Sequence, residues 1–123
     1  MIVGTGVDLA EVPRIRASVE RFGRRFVERI FTPGEIAYVE RKANKYERYA
    51  ARFAAKEAAA KVLAPGRDAA LPWPEIEVVR TGAAPLLRLH GRAADLAAEA
   101  GITALALSFT HEDEYAAAVV LGT

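Results

Sequence analysis

Cysteine is absent from this 123-residue chain, which excludes disulfides, thiolate metal sites and cysteine nucleophiles together. That absence is compatible with the cytosol, and a cytoplasmic setting is the expectation. No apolar run approaches the roughly 20 residues of a membrane span. The opening residues, MIVGTGVDL, carry no basic n-region and are interrupted early by Asp8, so they do not read as a signal peptide. Excess charge is also missing. The formal net charge is +1, too balanced to argue for nucleic acid by itself. What remains, 52% hydrophobic and 27% charged residues, is one ordinary globular domain with enough chain for a core.

The charge that is present is local. Residues 14–29 hold Arg14, Arg16, Arg21, Arg24, Arg25 and Arg29 against Glu20 and Glu28 alone. On a continuous wheel Arg14, Arg21 and Arg25 fall within about 40° of one another. The longest run of strong helix formers is residues 49–64, YAARFAAKEAAAKVLA, ended by Pro65-Gly66. At about 100° per residue Tyr49, Phe53, Ala60 and Ala64 share a stripe that should face the core. Glu57 lies within about 40° of Phe53 on that wheel, and a carboxylate there is costly unless paired, hydrogen-bonded or metal-bound. Lys61 follows one turn later. An ordinary i,i+4 pair with Glu57, worth about 0.2–0.5 kcal/mol, stands as the simpler reading.

The rest of the chain surrounds that helix. Ile2–Leu9 reads as a strand, with Gly4 and Gly6 keeping its backbone open to close approach and Asp8 toward its end. A helix then runs from Ala10–Pro13 to about Phe22, where Gly23 breaks or bends it. Thr32-Pro33-Gly34-Glu35 is a capping-box start for a short helix. Arg41–Arg48 reads as a charged link, and residues 65–74 as an extended loop. Glu75–Arg80 alternates with period 2 and pairs with Leu86–His90 across a turn at Thr81–Pro85. Helix Arg92–Ala100 is closed by Gly101, and strands Ile102–Phe109 and Tyr115–Leu121 flank a polar turn at His111–Glu114. The order predicts an α+β domain with a largely antiparallel sheet packed on the long central helix. The continuously apolar last strand predicts cover on both faces, part of it from a subunit partner.

Three places combine polar groups with a tight context: Gly6-Val7-Asp8, Lys56-Glu57 with Lys61, and Ser108-Phe109-Thr110-His111. Asp8 and Glu57 offer hard oxygen ligands suited to magnesium, which takes one or two carboxylates and completes its shell with water and phosphate. Lys61 is spaced to meet a phosphate oxygen, and His111 to add a donor or a stacking surface. Asp8 also reads as a simple turn cap, and His111 as a structural histidine. Ser108 and His111, three apart on a strand, point to opposite faces and do not make a hydrolase pair. His90 has no acidic neighbour in sequence and reads as structural.

These segments, in this order and in a chain of this length, resemble the holo-acyl-carrier-protein synthases, the small bacterial-type 4′-phosphopantetheinyl transferases. Gly6-Val7-Asp8 with Arg14 is similar to their first motif, Arg52-Phe53-Ala54-Ala55-Lys56-Glu57-Ala58 with Lys61 to their second, and Ser108-Phe109-Thr110-His111-Glu112 with Tyr115-Ala116 to their last. The likeness runs from Met1 to about Leu121, with Glu75–Val78 where the family has a similar strand. One departure stands out. The family commonly has Gly-Lys-Pro in the hairpin turn, and Gly82-Ala83-Ala84-Pro85 lacks the lysine.

The resemblance implies transfer of the phosphopantetheine arm of coenzyme A to a serine of an acidic apo-acyl carrier protein, in fatty acid biosynthesis. It implies Mg²⁺ on Asp8 and Glu57, catalysis by Glu57 and Lys61, and coenzyme A contacts from Arg52, Lys61, Ser108, Thr110 and His111. Whether Glu57 or a water on the metal takes the serine proton stays open. Carrier-protein docking falls to Arg14, Arg21 and Arg25, and assembly is expected as a homotrimer with sites between subunits. No nucleic acid or membrane partner is expected. A non-catalytic basic module and a magnesium-dependent phosphohydrolase are the rival readings, distinguished by salt dependence without metal and by turnover without an acceptor.

Overall fold

The computed structural model describes residues 1–64, 71–80, 82 and 84–123. Pro65-Gly66, most of the expected loop after it, and Thr81 and Ala83 of the hairpin turn lie outside the described residues. In chain order the elements are β1 (Gly4–Glu11), α1 (Val12–Phe22), α2 (Arg24–Ile30), α3 (Pro33–Glu40), α4 (Lys45–Leu63), a 3₁₀ turn at Trp73–Glu75, β2 (Ile76–Arg80), β3 (Pro85–Leu89), α5 (Gly91–Glu99), β4 (Leu105–His111) and β5 (Tyr115–Gly122). Every strand pair is antiparallel. β1, β5 and β4 form one sheet with β5 central, and β2 and β3 form a separate hairpin. The expected α+β class holds, with two sheets in place of one among the described residues.

The sheet and α4 approach very closely, and the sequence shows why. Ala50, Ala51, Ala54, Ala55, Ala58 and Ala59 of the helix are all fully buried, and the strand residues they meet, Ala116, Ala118 and Val120, are small or β-branched. At Gly6 the backbones nearly touch: an added Cβ would lie 2.0 Å from the Ala58 carbonyl oxygen. Only glycine fits there. The contact fixes β1 against the middle of α4, and thereby Asp8 against Glu57.

Several boundaries differ from expectation. β1 runs on to Glu11, so Asp8 lies inside the strand on its α4-facing side instead of capping a turn. α4 starts at Lys45, because Lys45, Glu47 and Arg48 are good helix formers despite their charge. Its buried surface is broader than the stripe read from the wheel: Tyr49 and Ala64 are buried, but Phe53 and Ala60 are only half-buried. A helix enclosed by sheet, hairpin and neighbouring helices loses the two-sided pattern on which a wheel depends. Among the described residues β5 is covered on one face. Ala116, Ala118 and Val120 turn inward, whereas Val7, Leu9, Tyr115 and Val119 are exposed on the other face.

Two start and stop signals are realised as read. Thr32 Oγ1 accepts from the Glu35 backbone N–H and Glu35 returns the bond to Thr32 N, completing the capping box. Gly23, at φ +59°, separates α1 from α2. Among the described residues no helix is long and apolar enough to cross a membrane.

Candidate active site

On the β1 flank of α4, Asp8, Glu57 and Lys61 converge. Lys61 Nζ reaches across to the strand, 3.0 Å from Asp8 Oδ1 and 2.9 Å from the Val7 carbonyl oxygen. It does not bridge Glu57 along the helix, so the i,i+4 reading gives way to a tertiary contact. Partial burial and the nearby Asp8 charge raise the proton affinity of Glu57, against the opposing pull of Lys61. Two carboxylates facing one ammonium leave one negative charge uncompensated. The donor set is all hard oxygen, which fits magnesium. Among the described residues no three acidic or histidine side chains cluster, so such an ion would draw most of its shell from water and phosphate.

The β4 flank of the same helix is cationic. Arg52 is almost fully buried, its guanidinium 4.8 Å over the Tyr38 ring and 5.8 Å from the Phe109 ring. Burial pulls its proton affinity down, and the Glu35 charge opposes this. Nη1 donates to the Arg48 carbonyl at 3.4 Å, and Nε has no partner among the described residues. Arg52 lines a cavity of about 380 Å³ with Tyr38, Arg41, Glu77, Arg80 and Arg88 among its walls. Glu77 is held below the usual carboxylate range: burial pushes it up, but hydrogen bonds from His90 and Thr32 outweigh that. His90 thus has an acidic neighbour, supplied across the hairpin.

His111 lies on the same flank, its Nδ1 3.0 Å from Glu47 Oε1. The register explains the separation of the two flanks. Asp8 pairs with Ala118, and Ala118 with Phe109, so one strand stands between the acidic and the cationic side. Ser108 and Thr110 do not join His111. They point to the open face of the sheet, opposite Val119 and Ala117.

Arg14, Arg21 and Arg25 are all exposed. Gly23 places Arg25 on a different helix from the other two, so their shared angle on a continuous wheel does not carry over. Arg14 lies 3.8 Å from Glu11, and Arg21 sits 5.1 Å over the Phe22 ring. The sequence did not single out Tyr38, Arg41, Arg80 or Arg88, which come from three elements and meet only in the folded chain. Nor did it single out the buried Glu35–Lys56 pair, whose one visible signal is the four-residue spacing of Lys56 from Arg52.

Comparison with known proteins decides the family. The profile of the 4′-phosphopantetheinyl transferase superfamily matches residues 4–120. The chain belongs to that superfamily. Within it, the holo-[acyl-carrier-protein] synthase of Solibacter usitatus is 61% identical over 113 residues, covering 90% of each chain. That of Koribacter versatilis is 49% identical over 122 residues, covering 98% of each. The fold superposes on the Neisseria meningitidis holo-[acyl-carrier-protein] synthase with a TM-score of 0.87 at 31% identity, covering 100% of this chain and 99% of that one. The Helicobacter pylori enzyme, solved in complex with coenzyme A, gives 0.83 at 30% identity, covering 98% of this chain and 100% of the other. This transferase is therefore an enzyme of the holo-acyl-carrier-protein synthase type.

Proposed function

We propose that this transferase moves the 4′-phosphopantetheine group of coenzyme A to a serine of an apo-acyl carrier protein, with magnesium, and releases adenosine 3′,5′-bisphosphate. The observation that carries the reading is the pairing of Asp8 with Glu57 on one flank of α4 and an arginine-lined cavity on the other. A pyrophosphate ester that also bears a 3′-phosphate needs both a cation site and an anion site.

The serine oxygen attacks the β-phosphorus, the bond to the bridging pyrophosphate oxygen breaks, and adenosine 3′,5′-bisphosphate leaves. Asp8 and Glu57 would hold Mg²⁺, which when bound neutralises charge on the phosphoryl oxygens. Lys61 already lies at the mouth of this cluster with 54% of its side chain exposed, placed to exchange Asp8 for a phosphate oxygen. Glu57, with its raised proton affinity, is suited to accept the serine proton where metal does not claim it. Arg52, with Tyr38, Arg41, Arg80 and Arg88 around the cavity, would hold the 3′-phosphate and adenosine end, and His111 would edge it.

Within one chain α4 and a strand separate the two flanks, which favours coenzyme A lying between subunits. The open face of the sheet presents Val7, Leu9 and Val119 beside Ser108 and Thr110. An exposed apolar face of this kind marks an association surface, and a homotrimer that buries it would bring Ser108 and Thr110 to a neighbour's site. The exposed Arg14, Arg21 and Arg25 would steer an acidic carrier protein. The product serves fatty acid biosynthesis in the cytoplasm.

Intact mass of an apo-acyl carrier protein, after incubation with the protein, coenzyme A and Mg²⁺, tests the reading. A gain of one phosphopantetheine that disappears with EDTA supports it. No gain with several carrier proteins, from a folded sample, contradicts it.

A further inference from the structure

Beneath the arginine cavity lies a buried trio of charges. Glu35, Arg52 and Lys56 are each 2% exposed or less. Arg52 and Lys56, four residues apart, share one face of α4. Glu35 is the one carboxylate buried with them, and Glu77 at the cavity wall adds a second, partly exposed one. A cation placed this deeply is costly unless an anion meets it.

The hydrogen bonds show which cation the carboxylate serves. Lys56 Nζ donates to Glu35 Oε1 at 2.8 Å, to the Ile76 carbonyl at 2.5 Å and to the Trp73 carbonyl at 3.3 Å. Its three protons have three acceptors. Glu35 accepts in addition from Thr32 N at 2.8 Å and from Val78 N at 2.9 Å. Arg52 feels the Glu35 charge through space, but its hydrogen bond goes to Arg48 O, and Nε is left without a partner among the described residues. The guanidinium stands over the Tyr38 ring at the cavity wall, with the Phe109 ring 5.8 Å away.

We propose that Lys56 is a positioning residue for the cavity: by occupying Glu35, it keeps the Arg52 guanidinium available to a phosphate monoester bound there. The proposal rests on the assignment of that cavity to the 3′-phosphate end of coenzyme A. Without Lys56, Glu35 is a buried carboxylate that has lost its cation, and Arg52 is the other buried cation that feels its charge. A charge-assisted bond between them then withdraws the guanidinium from the ligand. A purely structural role for Lys56 makes a different prediction, since loss of either member of a buried pair would then damage the cavity alike.

The test compares kcat/KM for coenzyme A with kcat/KM for dephospho-coenzyme A, which lacks only the 3′-phosphate. It uses the wild type, Lys56→Met, Glu35→Gln and the double variant, each with a melting curve. The wild type should favour coenzyme A. Lys56→Met should cut that preference about tenfold, equivalent to about 1.4 kcal/mol, through KM. Glu35→Gln should keep or raise it, and the double variant should restore it, although both lose stability. Should Lys56→Met fail to fold, Glu35→Gln and the double variant decide: a fall in preference in either overturns the proposal. An unchanged preference in a folded Lys56→Met overturns it too, and leaves the cavity assignment standing. No preference in the wild type removes that assignment, and the proposal with it.

Discussion

The two flanks of α4 carry opposite chemistry from a single helix. Toward β1, two carboxylates share one lysine, in a cleft where Asp8 and Lys61 stay partly open to water. Toward the hairpin, two buried cations share one carboxylate. The first cluster is net negative, and on the second Arg41, Arg80 and Arg88 around the cavity outnumber Glu77, so it is net positive. The lesson is that burial and sign together specify the guest. The open, negative cluster suits a hydrated magnesium ion that keeps water and phosphate ligands, whereas the more deeply buried, positive one suits a phosphate anion.

The comparison can be broken one flank at a time. Glu57→Gln should abolish the negative cluster's role, with turnover down about a thousandfold at saturating Mg²⁺, corresponding to about 4 kcal/mol of lost stabilisation. Steady-state kinetics on the folded variant measures it. Gly6→Ala attacks the contact that places Asp8 beside Glu57. The new Cβ meets the Ala58 carbonyl, and denaturant unfolding should show a loss of about 3 kcal/mol. Arg52→Met breaks the other flank. KM for coenzyme A should rise about tenfold with kcat nearly intact, while dephospho-coenzyme A is used as before.

Smaller effects sharpen the contrast. Arg14→Glu with Arg21→Glu touches neither flank, and should raise KM for the carrier protein about fivefold at low salt, with coenzyme A binding unchanged. Equal loss for both substrates would remove the docking role. The pH dependence of Mg²⁺ binding reports on Glu57 directly. Its proton affinity is raised in the folded chain by burial and by Asp8, so protons compete with metal at a higher pH than for an ordinary glutamate. Affinity should therefore fall as pH drops through a midpoint above 4.5, the ordinary value. The sign for stability is the reverse of the usual carboxylate case. Metal-free protein is favoured by protonated Glu57, and that contribution is lost as pH rises through the raised value. In the metal-free protein, Asp8→Asn should move the Glu57 titration midpoint down, since the Asp8 charge is one of the causes that raise it.

Local signals were legible in the sequence and tertiary ones were not. The capping box of Thr32 and Glu35 and the break at Gly23 appear where the residues place them, because each depends on a few neighbours. Asp8 and Glu57 stood out as carboxylates among apolar residues. Gly6 signals a close backbone approach in the sequence, but not that its neighbour is Ala58 of α4, the contact that brings those carboxylates together. The wheel misplaced Phe53 and Ala60 because α4 is enclosed on most sides. It also read Arg14, Arg21 and Arg25 as one face, although Gly23 interrupts the helix between them. Arg41, Arg80 and Arg88 come from the C-cap of α3 and both strands of the hairpin, and nothing in their spacing announces a common cavity. Glu35 was read as a cap, and it is also the partner of Lys56, 21 residues away.

The division of labour between the flanks is tested most directly by calorimetric binding of two ligands, Mg²⁺ and adenosine 3′,5′-bisphosphate, to Glu57→Gln and Arg52→Met, with the nucleotide measured in EDTA. The account predicts that Glu57→Gln loses Mg²⁺ and keeps the nucleotide, and that Arg52→Met does the opposite. Equal loss of both ligands in both folded variants would contradict it.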